Sequence, residues 1–215
     1  MKISRLIQKR IKVCVMLDTG DNIYLRYDTV LKFGLKKNDE LNEPLLNKIY
    51  AEDHRLQIKE ISFRLLSRRM HSAAELKRKL LSKKFPPERI EEAVTELIER
   101  QYLDDEKFAE KYADEKLKNS RTGLIKIRGE LIAKGVDKGI IEKVLSKMDN
   151  SEILLKNALL LSKKKISTSQ FKSIPPKKQN EKLFRFLISK GYQGEVIKSA
   201  LKKLNLTGQA DESFD

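Results

Sequence analysis

Leu80-Leu81-Ser82-Lys83-Lys84-Phe85, Leu131-Ile132-Ala133-Lys134-Gly135-Val136 and Leu187-Ile188-Ser189-Lys190-Gly191-Tyr192 are one pattern written three times. The copies lie 51 and then 56 residues apart, and the register holds on both sides. Upstream, Leu76, Ile127 and Leu183 correspond. Downstream, Ile90, Ile141 and Ile197 correspond, then Val94, Leu145 and Leu201, then Leu97, Met148 and Leu204. A period of this length marks stacked helical units, none of which can bury its apolar face alone. Such chains present a long surface to a long partner.

Working outward from the pattern gives the organisation. Residues 57–105, 106–150 and 151–204 read as three three-helix repeats, preceded by an extension at 1–56 and followed by an acidic tail at 205–215. In the extension, residues 2–27 read as strand, with Lys12–Leu17 and Ile23–Tyr27 paired around the turn Thr19-Gly20-Asp21-Asn22 as a β-hairpin. Asp28 is placed to cap a short helix ending at Gly34, and Asn42 to cap a longer one that carries Pro44 in its first turn. That helix reads to about Arg69, with an interruption near Asp53. In the first repeat, Ser72-Ala-Ala-Glu75 is a capping box, so the second helix begins at Ala73. Pro86-Pro87 separates it from a third helix at 88–100. Asp105 caps the first helix of the second repeat, Gly123 breaks that repeat, and Asp137 caps its third helix. In the third repeat, helix Ile153–Lys165 is followed by a polar insertion, Ser167–Asn180, that reads as a loop. Gly135 and Gly191 stand where a helix end requires positive φ, which is inexpensive without a Cβ.

Charge narrows the partner. The 215 residues carry 46 basic and 31 acidic side chains, a net +15, with a pI near 9.7. Such an excess points to a polyanion, above all nucleic acid or a nucleoprotein. The excess is segregated: residues 57–84 hold nine basic and two acidic groups, 85–105 two and seven, 116–134 six and one, 151–203 thirteen and three. The candidate contacts are therefore Arg68, Arg69, Lys77, Arg78, Lys83 and Lys84 in the first repeat, Arg121, Lys126 and Arg128 in the second, and Lys163, Lys164, Lys165, Lys182 and Arg185 in the third. His71, beside the capping box, joins them as a loop or partner-facing residue. Arginine grips carboxylate or phosphate in bidentate fashion, whereas lysine acts as a point charge. Phe85, Val136 and Tyr192 fall at core positions, with Phe63, Phe108, Tyr112, Phe184 and Phe186, and aromatics are only 7% of the chain, which argues against a base-stacking platform.

Chemistry at a catalytic centre is not indicated. No glycine-rich loop ends in Lys-Ser/Thr, so the chain does not read as a P-loop ATPase. Two histidines and one cysteine, scattered, are not the makings of a zinc site. Cys14 alternates with strand residues and excludes an internal disulfide. No apolar run is long enough to span a bilayer and no secretory leader is evident, so a cytoplasmic protein without membrane partner, cofactor or metal is expected.

Several of these stretches carry a resemblance. Leu65-Leu66-Ser67-Arg68-Arg69, His71-Ser72, Glu75-Leu76 and Lys79-Leu80, then Tyr102-Leu103-Asp104-Asp105-Glu106-Lys107-Phe108-Ala109, then Gly123, Ile127, Glu130-Leu131 and Lys134-Gly135-Val136, and last Phe186-Leu187 and Gly191-Tyr192 together resemble the RecX family of bacterial regulatory proteins, which bind the RecA recombinase. The likeness covers nearly the whole chain. It implies a mainly α fold of three tandem three-helix repeats in an elongated, curved molecule behind a small N-terminal β-hairpin. It implies a modulator, mostly an inhibitor, in recombinational repair and the SOS response, and a monomer without enzymatic activity is expected. By resemblance, the protein binds the groove of the RecA–single-stranded DNA filament and limits its growth, ATP hydrolysis and strand exchange, touching single-stranded and weakly double-stranded DNA. Leu124 departs from the family, which often has proline there, and Gly129 lies inside a helix at a cost of about 0.5–1 kcal/mol relative to alanine. Charge alone also fits a sequence-nonspecific DNA-binding protein with no recombinase partner. A helical-repeat hydrolase has no visible nucleophile–base pair to support it.

Overall fold

The computed structural model describes residues 1–204, apart from the side chains of Pro176 and Lys177; the expected acidic tail lies outside the described residues. The chain forms two compact units, Met1–Leu103 and Asp104–Asp215.

The first unit opens on a sheet of three antiparallel strands, β1 (Ile3–Lys9), β2 (Lys12–Leu17) and β3 (Asn22–Arg26), in the order β1-β2-β3. The expected hairpin is the β2–β3 pair, with Val13 opposite Leu25 and Val15 opposite Ile23. The sequence reading did not separate β1 from it, because the turn at Arg10-Ile11 has no glycine; Arg10 itself takes positive φ, 56°. Alternation puts Ile3, Val13, Val15, Leu17, Ile23 and Leu25 on one face. They pack with Val30, Leu35, Leu41 and Ile49.

Helices α1 (Tyr27–Phe33) and α2 (Glu43–Leu66) cover that face. Asp28 is not the cap of α1. The helix begins two residues earlier, at Tyr27 behind Arg26, and Asp28 sits in the first turn, where a carboxylate suits the positive helix end. Gly34 closes it at φ 61°, as expected. Asn42 caps α2, accepting from the Leu45 N–H at 2.9 Å. The expected break near Asp53 does not occur. Asp53 is buried and its carboxylate accepts from the Arg26 N–H (2.7 Å), the Thr29 hydroxyl (2.8 Å) and the Gln57 amide (2.5 Å). With its charge so satisfied it pins the sheet to an unbroken helix. α2 thus runs 24 residues, straight through the expected join at 56/57, and ends at Leu66 rather than near Arg69.

Glu52, one turn into the middle of α2, adds a second tie. It accepts from Nε and Nη2 of Arg55 (3.0 and 2.7 Å) and pairs with the Lys32 ammonium of α1 (3.0 Å). The Arg55 hydrogen bonds, against an opposing effect of burial and with help from Lys32, lower its pKa from 4.5 to about 2. A depressed carboxylate contributes stability that is complete above its unfolded pKa and disappears as pH falls through the folded value. Glu52→Gln is therefore expected to flatten the acid limb of the stability curve between about pH 4.5 and about pH 2 and to leave its shape above pH 5 unchanged. Urea titrations at stepped pH measure this, and an unaltered acid limb contradicts it.

The remaining elements are α3 (Ala73–Leu81), α4 (Pro87–Glu99), α5 (Asp105–Asn119), α6 (Leu124–Ala133), α7 (Lys138–Met148), α8 (Ser151–Ile166), α9 (Ser169–Lys172), α10 (Pro176–Ser189) and α11 (Gly194–Lys203). The repeat shows in the packing. α2 packs on α4, α5 on α7 and α8 on α11, while α3, α6 and α10 bridge each pair. Each first helix buries small residues completely: Ser62 in α2, Ala109 and Ala113 in α5, Ala158 and Ser162 in α8. The two serines satisfy their hydroxyls on Ile58 and Ala158 carbonyls of their own helices, both at 2.7 Å.

Capping follows the sequence at α3 and α7. The Ser72 hydroxyl accepts from the Glu75 N–H (3.1 Å), and Asp137 caps α7 through the Gly139 and Ile140 N–H groups. At α5 the cap is Asp104, not Asp105: it accepts from the Lys107 N–H at 2.9 Å, which holds its carboxyl below the usual range. Asn150 caps α8, which starts at Ser151, two residues before the expected Ile153. The polar insertion is not a loop throughout: it holds α9 and the start of α10, which begins at Pro176. Phe171 is 1% exposed, and this one apolar residue anchors the short α9.

Lys84, Gly135 and Gly191 occupy the same position of the three repeats, and all have positive φ, 64°, 77° and 87°. The first repeat thus holds a lysine in a conformation that costs an L residue about 1–2 kcal/mol. Lys84→Gly is expected to stabilise the first unit by about 0.5–1 kcal/mol, the relief being partly offset by the extra entropy of an unfolded glycine. A fall in melting temperature would refute this.

Candidate partner-binding surface

In the first unit, the turn after α2 splits the candidates. Arg68 is exposed, with no acidic partner among the described residues, at the negative end of α2. Arg69 is exposed but engaged: its Nη1 donates to the Met70 carbonyl (2.7 Å) and pairs with Glu75 (3.0 Å). His71 is buried rather than exposed in its loop. It is 4% exposed, its Nδ1 lies 3.0 Å from the Arg69 carbonyl, and burial is foremost in lowering its pKa. The turn folds back over the capping box, and a loop that packs this tightly turns its histidine inward. Lys77 is half-buried and paired with Glu91 of α4, so it joins two helices rather than standing free. Arg78, Lys83 and Lys84 are exposed toward the end of α3.

In the second unit the structure gathers residues that are distant in sequence. Gly123, at the start of α6, meets the turn after α10. A Cβ on Gly123 would stand 2.2 Å from the Gly191 carbonyl oxygen, and one on Gly191 2.4 Å from Lys126 Cβ. This contact lets the Gly123 N–H donate to Lys190 O (2.8 Å) and the Ile125 N–H to Gly191 O (3.1 Å). Carbonyls of the third repeat thus satisfy the amides that a helix start leaves open. The buried Tyr192 hydroxyl donates to Arg121 O at 2.6 Å, and burial raises its pKa. Lys126 is thereby set against the Lys190-Gly191 turn. Lys190 and Lys165 in turn lie 5.5 and 5.7 Å from the centre of the Phe186 ring, within cation–π range. Lys126, Lys165 and Lys190 so form a basic patch where the second and third repeats join.

The other candidates are dispersed. Arg128 pairs with Glu142 (2.7 Å) across α6 and α7, and Arg185 with Glu181 along α10. Lys163, Lys164 and Lys182 are exposed, with no acidic partner among the described residues. Lys134 and Lys190 belong to the repeated motif, in register with Lys83, but are not among the sequence candidates. Lys134 lies 5.0 Å from the Tyr112 ring centre, beside Glu130, which takes the Tyr112 hydroxyl (2.6 Å) and Lys116 (3.0 Å). Among the described residues no three His, Cys, Asp or Glu side chains gather as a metal site, and no helix is long and apolar enough to cross a membrane.

Comparison with known proteins agrees with this architecture. Residues 59–97 match the model of the RecX first three-helix domain and residues 104–145 that of the second. A regulatory protein RecX of Clostridium botulinum (strain Eklund 17B / Type B) is 33% identical over 205 residues, covering 94% of this chain and 95% of the relative. That of Clostridium tetani is 34% identical, covering 94% of each. That of Streptococcus mutans is 26% identical, covering 98% of this chain and 80% of the relative. A crystal structure of regulatory protein RecX shares the fold with a TM-score of 0.70 at 22% identity, over 94% of this chain and 98% of that one. RecX from Lactobacillus salivarius does so at 0.64 and 22% over 72% of this chain and 99% of that one. Repeat, capping pattern, domain matches and relatives agree, and the chain belongs to the RecX family of regulatory proteins.

Proposed function

We propose that this chain is a non-enzymatic regulator, chiefly an inhibitor, of the RecA recombinase. It binds the RecA–single-stranded DNA filament in the cytoplasm through its repeats at 57–105, 106–150 and 151–204. Bound there, it limits filament growth, ATP hydrolysis and strand exchange in recombinational repair and the SOS response. Membership of the RecX family carries this reading. The exposed cations Arg68, Lys83, Lys84, Lys126, Lys163, Lys164 and Lys182 support it, since a nucleoprotein filament offers both carboxylates and phosphates.

The test is RecA ATPase on single-stranded DNA at physiological salt, titrated with this protein. A falling rate with no turnover by this protein alone is expected. An unchanged rate with no filament binding would leave a basic DNA-binding protein, whose affinity falls with salt at a log–log slope of about −0.9 per phosphate neutralised on duplex. Arg68→Glu is the clean probe of the first repeat, because Arg69→Glu would also set a second carboxylate beside Glu75. Arg68→Glu is expected to raise the half-inhibiting concentration about three- to tenfold with helicity intact. Unchanged inhibition would move the contact to another repeat.

A further inference from the structure

Leu80, Leu131 and Leu187 are each 0% exposed, core residues at the same register position. The residues that follow them, Leu81, Ile132 and Ile188, are 48%, 48% and 49% exposed. A single exposed aliphatic residue needs no explanation. The same one in all three repeats, at the end of the second helix, is different, because the repeats have diverged at neighbouring positions. The residue four places earlier is Lys77, Arg128 or Phe184; the next is Arg78, Gly129 or Arg185; the next is Lys79, Glu130 or Phe186. Folding constrains an exposed position weakly, so it drifts between copies. This one stays a large branched aliphatic residue, and the position two residues on stays lysine, as Lys83, Lys134 and Lys190.

We propose that Leu81, Ile132 and Ile188 are three equivalent docking knobs, each entering a shallow apolar pocket edged by carboxylates on a protein partner built of identical subunits. The inference rests on the filament reading above and names the chemistry of its contact. A protein is favoured over nucleic acid because an aliphatic side chain gains nothing from phosphate, and single-stranded bases are held by aromatic stacking, which these positions do not offer. Beside Leu81 the exposed Lys83 gives the pocket edge its sign, since it attracts carboxylate, while Lys134 and Lys190 are half-buried over aromatic rings of their own repeats. One contact repeated three times along a chain suits a partner that repeats its own surface, and linked contacts then reinforce one another through effective concentration.

The experiment uses the full chain and RecA filaments assembled on fluorescein-labelled oligothymidylate with a slowly hydrolysed ATP analogue. Leu81→Gln, Ile132→Gln and Ile188→Gln are made singly and together; glutamine keeps helix propensity and removes the apolar surface. Each single change is expected to weaken filament binding about five- to tenfold and the triple variant more than a hundredfold. Melting temperature and binding to the naked oligonucleotide should hold. The volume-conserving set Leu81→Ile, Ile132→Leu and Ile188→Leu should bind as the unmodified chain does. If the triple glutamine variant binds filaments with unchanged affinity while the unmodified chain binds tightly, the knobs are refuted and the filament reading stands. Parallel loss of naked-DNA binding would overturn the protein partner. No filament binding by the unmodified chain would overturn the filament reading and the knobs with it.

Discussion

Replacing Gly191 by alanine is expected to destabilise the second unit by about 3 kcal/mol, a fall in melting temperature of more than about 10 °C. Two effects add. The residue has φ 87°, where an L side chain is strained, and its new methyl would stand 2.4 Å from Lys126 Cβ and 2.5 Å from Lys126 N. Backbone cannot withdraw as a flexible side chain would. The hydrogen bonds from Gly123 and Ile125 to the Lys190-Gly191 turn would be lost with the close approach. Gly123→Ala, at an ordinary φ, isolates the steric part, since its methyl meets the Gly191 carbonyl at 2.2 Å. Gly129 and Gly194 serve as controls, having nothing within 4 Å of an added Cβ. Gly129→Ala should instead stabilise by about 0.5–1 kcal/mol. Thermal unfolding followed by circular dichroism distinguishes these outcomes. Equal melting for Gly191→Ala and Gly129→Ala would show that the repeats do not meet there.

Asp53→Ala is expected to cost the first unit about 3 kcal/mol or more. It would strand a buried Thr29 hydroxyl and the Arg26 N–H, both of which now donate to Asp53, and release Gln57. The loss falls where the sheet and α1 meet α2. Arg26 also pairs with Glu60 one helical segment further on, so the strand end would keep a second anchor. Asp53→Asn keeps an acceptor and should lose less, about 1–2 kcal/mol. Chemical denaturation reads both, and a neutral Asp53→Ala would mean that water replaces the carboxylate.

The filament reading asks something particular of this scaffold. A surface spread over several small repeats functions only if neighbouring repeats are held firmly, and the Gly123–Gly191 contact does this within the second unit. That contact was partly legible. The repeat position of Gly191 marks it as a helix stop with positive φ, and it has φ 87°. That it also gives way to another backbone was not legible, because a close approach depends on what lies 68 residues away in the chain. The same limit explains His71. A histidine in a polar turn reads as exposed, and only the folding of that turn over the Ser72 cap buries it. Asp53 read as a helix interruption because an aspartate in mid-helix is unfavourable until something accepts its charge, and its donors come from β3 and α1. Phe171 was hidden by the prolines and polar residues around it.

The amino-acid sequence by itself determined the repeat, the helix starts at Asn42, Ser72 and Asp137, the left-handed stops at Gly34, Gly135 and Gly191, and the family. These are local or periodic properties: a side-chain cap reaches three residues, and an apolar period repeats whatever it packs against. Only the tertiary structure decided the separate strand β1, the unbroken α2, the inward turn of His71 and the patch of Lys126, Lys165 and Lys190. Each of these is settled by which distant backbone or buried group supplies the missing hydrogen-bond partner or fills the remaining space, and that is a property of the packed chain.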